Sequence, residues 1–230
     1  MRPVSLTKTL AAASANNICL SQALAAAGNL NLNGSTSVAA QGTAGTFGFI
    51  PKQAVLDTQR RILFTPAGAE AGKIATIIGT NDSGAIISET LTMVSNPSTV
   101  ASALDYKTVL QISFAVALAS TITVGTNTTG STVWVMPNFH LTPFAVDVRS
   151  QVSGSVTFQG ETTDDDFFTA INNAGLVNLT PAVNAATIIA SGTTAAVTAL
   201  TSPFRGFRLT VTTGTGTVTA QFEQAGIVNY

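Results

Sequence analysis

Charge is scarce in this chain. Only 9% of its 230 residues are Asp, Glu, Lys or Arg, against about 25% in an ordinary soluble domain. Their place is taken by Thr, Ser, Ala, Gly and Asn interleaved with apolar residues, as in Leu209-Thr210-Val211-Thr212 and Thr217-Val218-Thr219-Ala220. Such a surface gains little solubility from charge repulsion, and it has few ionised groups to desolvate when another protein covers it. The composition suits enclosure in an assembly. The formal net charge is -1 with a pI near 5.7, and the six Arg and four Lys are scattered singly apart from Arg60-Arg61. That leaves no basic footprint for a phosphate backbone, so no nucleic-acid partner is expected.

Cysteine is nearly absent too. Cys19 alone excludes an intrachain disulfide and any multi-cysteine metal cluster. A buried or assembly-covered thiol is the plain reading, because a reactive one needs a base and the single histidine, His140, is far away in sequence. A chain without structural disulfides fits synthesis in a reducing cytoplasm. Long apolar runs are missing as well. Met1 to Lys8 carries two basic side chains and Ala23-Leu24-Ala25 imitates a cleavage site, but Ser14, Asn16, Asn17, Ser21 and Gln22 break the apolar core a secretory leader needs. No stretch approaches the ~20 apolar residues of a membrane span, so no membrane partner is expected.

What is present is a period of two. From about Gln53, short alternating segments are separated by Gly, Asn, Pro and Ser. Strands are predicted at Arg60–Thr65, Lys73–Thr80, Ala85–Val94, Tyr106–Ala115, Ser120–Gly125 and Ser131–Met136, with a Thr/Asn/Gly turn between the last two. Asn81-Asp82-Ser83-Gly84 is turn chemistry. Beyond Pro137–Pro143 come Phe144–Ser150 and Ser153–Gln159, and then Arg205–Phe222, where Thr213-Gly214-Thr215-Gly216 joins two alternating strands as a hairpin. Residues 1 to 52 differ. Their Ala-rich patches and Gly/Asn/Ser/Thr tract, with little of a core in Ala39–Gly48, read as an arm ordered by neighbours, with one short helix near Thr9–Leu24. The expectation is an all-β protein: an extended N-terminal arm (1–52) and two antiparallel β-sandwich-like domains (53–140 and 141–230).

Chemistry finds little support. No Gly-Lys-Ser or Gly-Lys-Thr occurs, and Gly214-Thr215-Gly216 lies between strands rather than opening a helix. Asp164-Asp165-Asp166 lacks the spaced pattern of a calcium loop and reads first as a solvated acidic turn, with cation binding left open. His140 with Asp147 lacks a nucleophile elbow, and it reads as a polar contact at the domain junction. Trp134, on a strand, reads as core or interface before sugar platform. No catalytic, cofactor-binding or metal-binding residue is assigned, and no cofactor is expected.

Two stretches carry a resemblance. Leu56-Asp57-Thr58-Gln59-Arg60-Arg61-Ile62-Leu63-Phe64-Thr65 is followed by Ile77-Ile78-Gly79-Thr80-Asn81-Asp82-Ser83-Gly84, Ile87-Ser88-Glu89-Thr90-Leu91 and Tyr106-Lys107-Thr108-Val109. The later stretch runs from Val156-Thr157-Phe158 through Asp165-Asp166-Phe167 and Phe204-Arg205-Gly206-Phe207-Arg208-Leu209 to Gly214-Thr215-Gly216-Thr217-Val218-Thr219 and Gln224-Ala225-Gly226. Together they resemble virion structural proteins of tailed bacteriophages. The resemblance implies a non-enzymatic particle component, first of all a capsid decoration or cement protein located in the virion and assembled in the host cytoplasm. Its partners would be other virion proteins, major capsid or connector and tail proteins, and copies of itself. A head–tail connector, tail or baseplate protein is the alternative, and a host-surface-binding module a more distant one.

Overall fold

The computed structural model describes residues 4–94, 98–132, 134–135, 145–163, 185–194, 196–200 and 204–225. Every regular element among them is a strand, and all the pairings are antiparallel. The protein is all-β, as its period-two pattern requires. In chain order the strands are β1 (Val4–Leu10), β2 (Ser14–Gln22), β3 (Gly28–Asn29), β4 (Ser37–Val38), β5 (Gln53–Pro66) and β6 (Ile74–Thr80). Then follow β7 (Ile86–Thr92), β8 (Val100–Ala101), β9 (Tyr106–Phe114), β10 (Ile122–Ser131) and β11 (Ala145–Gly154). The last five are β12 (Thr157–Thr163), β13 (Ala185–Gly192), β14 (Val197–Leu200), β15 (Gly206–Thr213) and β16 (Gly216–Ala225).

The chain divides into two compact units. One comprises residues 13–127; the other joins residues 1–12 to residues 128–230. In the 13–127 unit the strand order is β10-β5-β9-β6-β7, with β2 on β10, β3 on β9, and β4 and β8 on β5. Alternation decides what is buried. On β6, Ala75 and Ile77 are fully buried while Ile74 is exposed, so the inward face is the one that also holds Gly79. A Cβ there would stand 2.2 Å from the Thr108 carbonyl oxygen. The core gathers Ile62, Phe64, Tyr106, Ile112, Phe114 and Val124 with Ile18, Cys19, Leu30 and Leu32, and Phe64 meets Phe114 edge to face at 6.4 Å.

The other unit has one sheet in the order β1-β16-β11-β14 and a second in which β15 lies between β12 and the end of β10, with β13 outside β12. Leu10, Val148, Val218 and Ala220 of the first sheet share a core with Phe158, Ile189, Phe207, Leu209 and Val211 of the second. Each such side chain contributes roughly 1.5–3 kcal/mol on leaving water. The hairpin expected at Thr213–Gly216 does not form: β15 and β16 lie in different sheets, so this connection carries the chain from one sheet to the other instead of joining two paired strands.

Three further expectations are corrected. Residues 1–52 are not an extended arm ordered by neighbouring molecules: β1 pairs with β16 of the same chain along seven residues from Val4↔Phe222 to Leu10↔Gly216, and β2 pairs with β10. The apolar residues of this tract are few, but they are used in cores, which is why the division falls at 12/13 and 127/128 rather than at 52/53 and 140/141. Thr9–Leu24 holds no helix, because its apolar residues meet strand partners instead. The Thr/Asn/Gly turn expected after Gly125 is strand as well, part of the continuous β10. There Gly125 makes room for β2, since a Cβ would lie 1.8 Å from the Ser14 carbonyl oxygen.

Candidate interaction surface

Five of the few charged side chains, Arg60, Glu70, Asp105, Glu161 and Arg208, are buried inside the units. Arg60 is 1% exposed; its Nη2 lies 2.5 Å from Asp57 Oδ2 and its Nη1 donates to the Asn127 carbonyl. Glu70 is completely buried and holds Lys73 at 2.6 Å. It also accepts the Ser120 amide at 2.5 Å, the Ser120 hydroxyl at 2.8 Å and the Ala119 amide at 3.1 Å. Burial pushes the Glu70 carboxyl up, but these bonds outweigh it and bring the pKa down to about 2. Lys107 Nζ donates to the carbonyls of Leu56 and Asp57.

Glu89 reaches from β7 into the bend before β9, where Oε2 accepts the Ala103 amide at 2.9 Å. Burial raises its pKa, and the backbone amides of Ala103 and Leu104 and the hydroxyls of Tyr106 and Ser102 only partly oppose that. Tyr106 is pushed well above the ordinary phenol range, by burial first and then by the Glu89 charge. In the other unit Glu161 stands opposite Arg208 in the β12–β15 register. Its Oε2 accepts Arg208 Nε at 2.6 Å, and Gln159 Nε2 binds Oε1 at 2.5 Å. The Arg208 guanidinium lies 4.6 Å from the Trp134 ring centre.

Position in the fold decides among the readings open to several of the residues singled out above. Trp134 is buried under Arg208, which makes it core rather than platform. Cys19 lies in the core, where desolvation first and a weaker opposing effect of Lys52 place the thiol pKa at about 12. Asp147 binds Arg149 Nε at 2.8 Å. Gly214 and Gly216, both at positive φ, lie in the link between the two sheets, packed against the backbone of Ser155 and Ser153. His140 and Asp164–Asp166 lie outside the described residues, in which no group of three or more His, Cys, Asp or Glu could hold a metal ion. No described helix is long and apolar enough to cross a membrane.

Lys52, Asp57, Arg149, Arg205 and Glu223 are exposed, but some faces carry no charge. On the outer face of β6 and β7, Ile74 stands beside Thr92, Thr76 beside Thr90, Ile78 beside Ser88 and Thr80 beside Ile86. On β1 and β16 the Thr7 and Thr219 hydroxyls meet at 3.0 Å and those of Thr9 and Thr217 at 2.9 Å. The feature that composition does not foretell is a finger between β4 and β5. The ladder Ser37↔Ala54 and Val38↔Gln53 continues through Gln41 and Ile50, whose amides and carbonyls exchange bonds of 2.9 and 3.0 Å. Two turns then follow, closed by Thr46 N–H to Thr43 C=O and by Phe49 N–H to Thr46 C=O. Gly45 (φ 85°) and Gly48 (φ 84°) take the third position of each, where a type II turn requires positive φ. Phe47 sits between them, completely exposed.

The sequence contained this signal in Thr43-Ala44-Gly45-Thr46-Phe47-Gly48-Phe49. Reading Ala39–Gly48 only as poor in core concealed a preformed tip. The chain matches no protein-family model and no curated protein.

Proposed function

We propose that the protein is a non-enzymatic structural component of a tailed-phage particle, most directly a decoration or cement protein that binds neighbouring shell subunits and copies of itself. The observation that carries the reading is the disposition of charge. A chain with 9% charged residues places five ion pairs between its own described side chains, which leaves Thr-, Ser- and Ile-bearing sheet faces outside. Such faces cost little to desolvate and gain from being covered. The fully exposed Phe47 on a hydrogen-bonded turn supports the same reading, since an isolated chain gains nothing from it.

A connector, tail or baseplate protein would use the same surfaces, and copy number separates the two: hundreds of copies per purified particle are expected, and about six or twelve would move the protein to the tail. A host-surface-binding module is disfavoured because Trp134 is buried and Phe47 has no polar handle for a sugar; specific hits on a glycan array would revive it. Absence of the protein from purified particles overturns the proposal altogether.

A further inference from the structure

Among the described residues, the 13–127 unit carries a donor without a socket and an edge without a strand cover, on opposite flanks. The finger leaves from β4, which pairs with Ala54 of β5, while β9 pairs with the same residue from the other side. Beyond β9 come β6 and then β7. The outer edge of β7 has no strand partner among the described residues. Three strand spacings, roughly 14 Å, separate the β7 edge from β5.

Edge strands normally carry a lysine, a proline or a bulge that prevents further pairing. β7, with the sequence Ile86-Ile87-Ser88-Glu89-Thr90-Leu91-Thr92, has no Lys, Arg or Pro. Its register with β6 is unbroken over seven pairs. Its one charge, Glu89, is turned back onto the Ala103 amide. Ile86 is 69% exposed, and Val94 just beyond the strand is 47% exposed.

The finger matches this edge in chemistry. Val38 to Pro51 contains no charged residue, the Thr46 hydroxyl is already bound to the Thr43 carbonyl at 2.6 Å, and Lys52 is held by Asn31 Oδ1 at 2.8 Å. A membrane-inserting loop pairs its apolar tip with free cationic side chains for the lipid headgroups, and this one has none within its span. A second copy of the chain is the partner that fits, because a formal net charge of -1 on 230 residues does little to hold copies apart.

We propose that the chain associates head to tail with itself: the Gln41–Ile50 finger of one copy docks on the β7 edge of the next, with Phe47 covering the exposed Ile86 side of that strand. A donor on one flank and an acceptor on the other make a heterologous contact, which propagates into a ring or a filament rather than stopping at a symmetric pair. The inference deepens the proposed function by supplying the contact between copies.

The test uses the full chain in solution, by light scattering after size exclusion and by sedimentation. The wild type is expected to gain mass with concentration beyond a dimer. Phe47→Asp and Ile86→Asp, both at exposed sites, should each retain the wild-type melting curve and weaken association by roughly 30-fold or more, the range of an aromatic anchor. Mixed together they should form a one-to-one pair and nothing larger, because one retains the edge and the other the finger.

A monomeric wild type at every concentration overturns the inference, as does an oligomer indifferent to both substitutions, or a mixture that does not pair. Phe47-dependent sedimentation with phosphatidylcholine–phosphatidylglycerol vesicles would assign the finger to a membrane and overturn it as well. A monomer that is nevertheless abundant on purified particles would end this inference and leave the proposed function standing; self-association without presence on particles would do the reverse.

Discussion

Glu70 Oε1 accepts the backbone amide of Ser120 at 2.5 Å, fastening the turn before β6 to the segment that leads into β10. The same carboxylate holds Lys73, so one buried negative charge anchors two connections at once. Its pKa of about 2, against an ordinary 4.5, means that folding favours the ionised form. The associated stability is present in full above pH 4.5 and is lost as pH falls from there toward 2. Glu70→Gln should flatten this part of a urea-midpoint versus pH curve. Glu70→Ala should cost about 3 kcal/mol at neutral pH, because charged hydrogen bonds are lost and buried amides are left without acceptors.

Glu89 has the opposite sign. Its raised pKa means that the folded state favours the protonated carboxyl. Its contribution is therefore present below pH 4.5 and fades as pH rises through the raised value. Glu89→Gln should raise the thermal midpoint at pH 7 and make no difference below the ordinary carboxylate range. A lower midpoint at neutral pH would show that the ionised carboxylate is what the Ala103 amide needs.

Arg208 and Glu161 form a buried pair, with the Arg208 guanidinium over Trp134. Arg208→Ala should cost about 3–5 kcal/mol by leaving the carboxylate uncompensated, and the fluorescence of the single tryptophan should report the loss of the stacked guanidinium. Replacing Arg208 and Glu161 together by Met and Leu should recover much of that loss. Equal losses in the single and double variants would refute the coupling.

Gly125→Ala tests whether the N-terminal tract belongs to the 13–127 unit. A Cβ at this position collides with backbone of Ser14 and Ala15, so expulsion of β2 and a loss of more than about 2 kcal/mol are expected in chemical denaturation. If residues 13–22 were a loose arm, the substitution would be silent. By the same logic, removing residues 1–12 should destabilise the unit that contains Leu10, which is buried to 1% exposure.

Cys19 should resist alkylation at neutral pH in the native protein and react at once in denaturant. Its burial, and a thiol pKa near 12, leave almost no thiolate. Rapid labelling of the folded chain would mean that β2 opens.

Local pattern carried a good part of this fold. The alternation in β15 and β16 is strict enough that Phe207, Leu209, Val211, Val218 and Ala220 are all buried, as their spacing groups them, and the turn at Asn81 forms because its side chain accepts the amides of Ser83 and Ala85. Strand pairing was less legible. Ser14-Ala15-Asn16-Asn17-Ile18-Cys19-Leu20-Ser21-Gln22 looks polar and loose, yet it supplies Ile18 and Cys19 to a core; nothing in a local window shows that β10 keeps Gly125 open for it.

The amino-acid order alone determined the all-β class, the turn at Asn81–Gly84 and the scarcity of charge, because each depends on side-chain period, turn residues or composition within a few positions. Tertiary structure decided which strand lies beside which, that Arg60, Glu70, Asp105, Glu161 and Arg208 are the charges taken inside, and that Phe47 stands exposed at the end of a hydrogen-bonded finger. Those outcomes depend on pairings between residues up to about two hundred positions apart, such as Leu6 with Ala220, and backbone hydrogen bonds that any residue can make carry no address in the sequence.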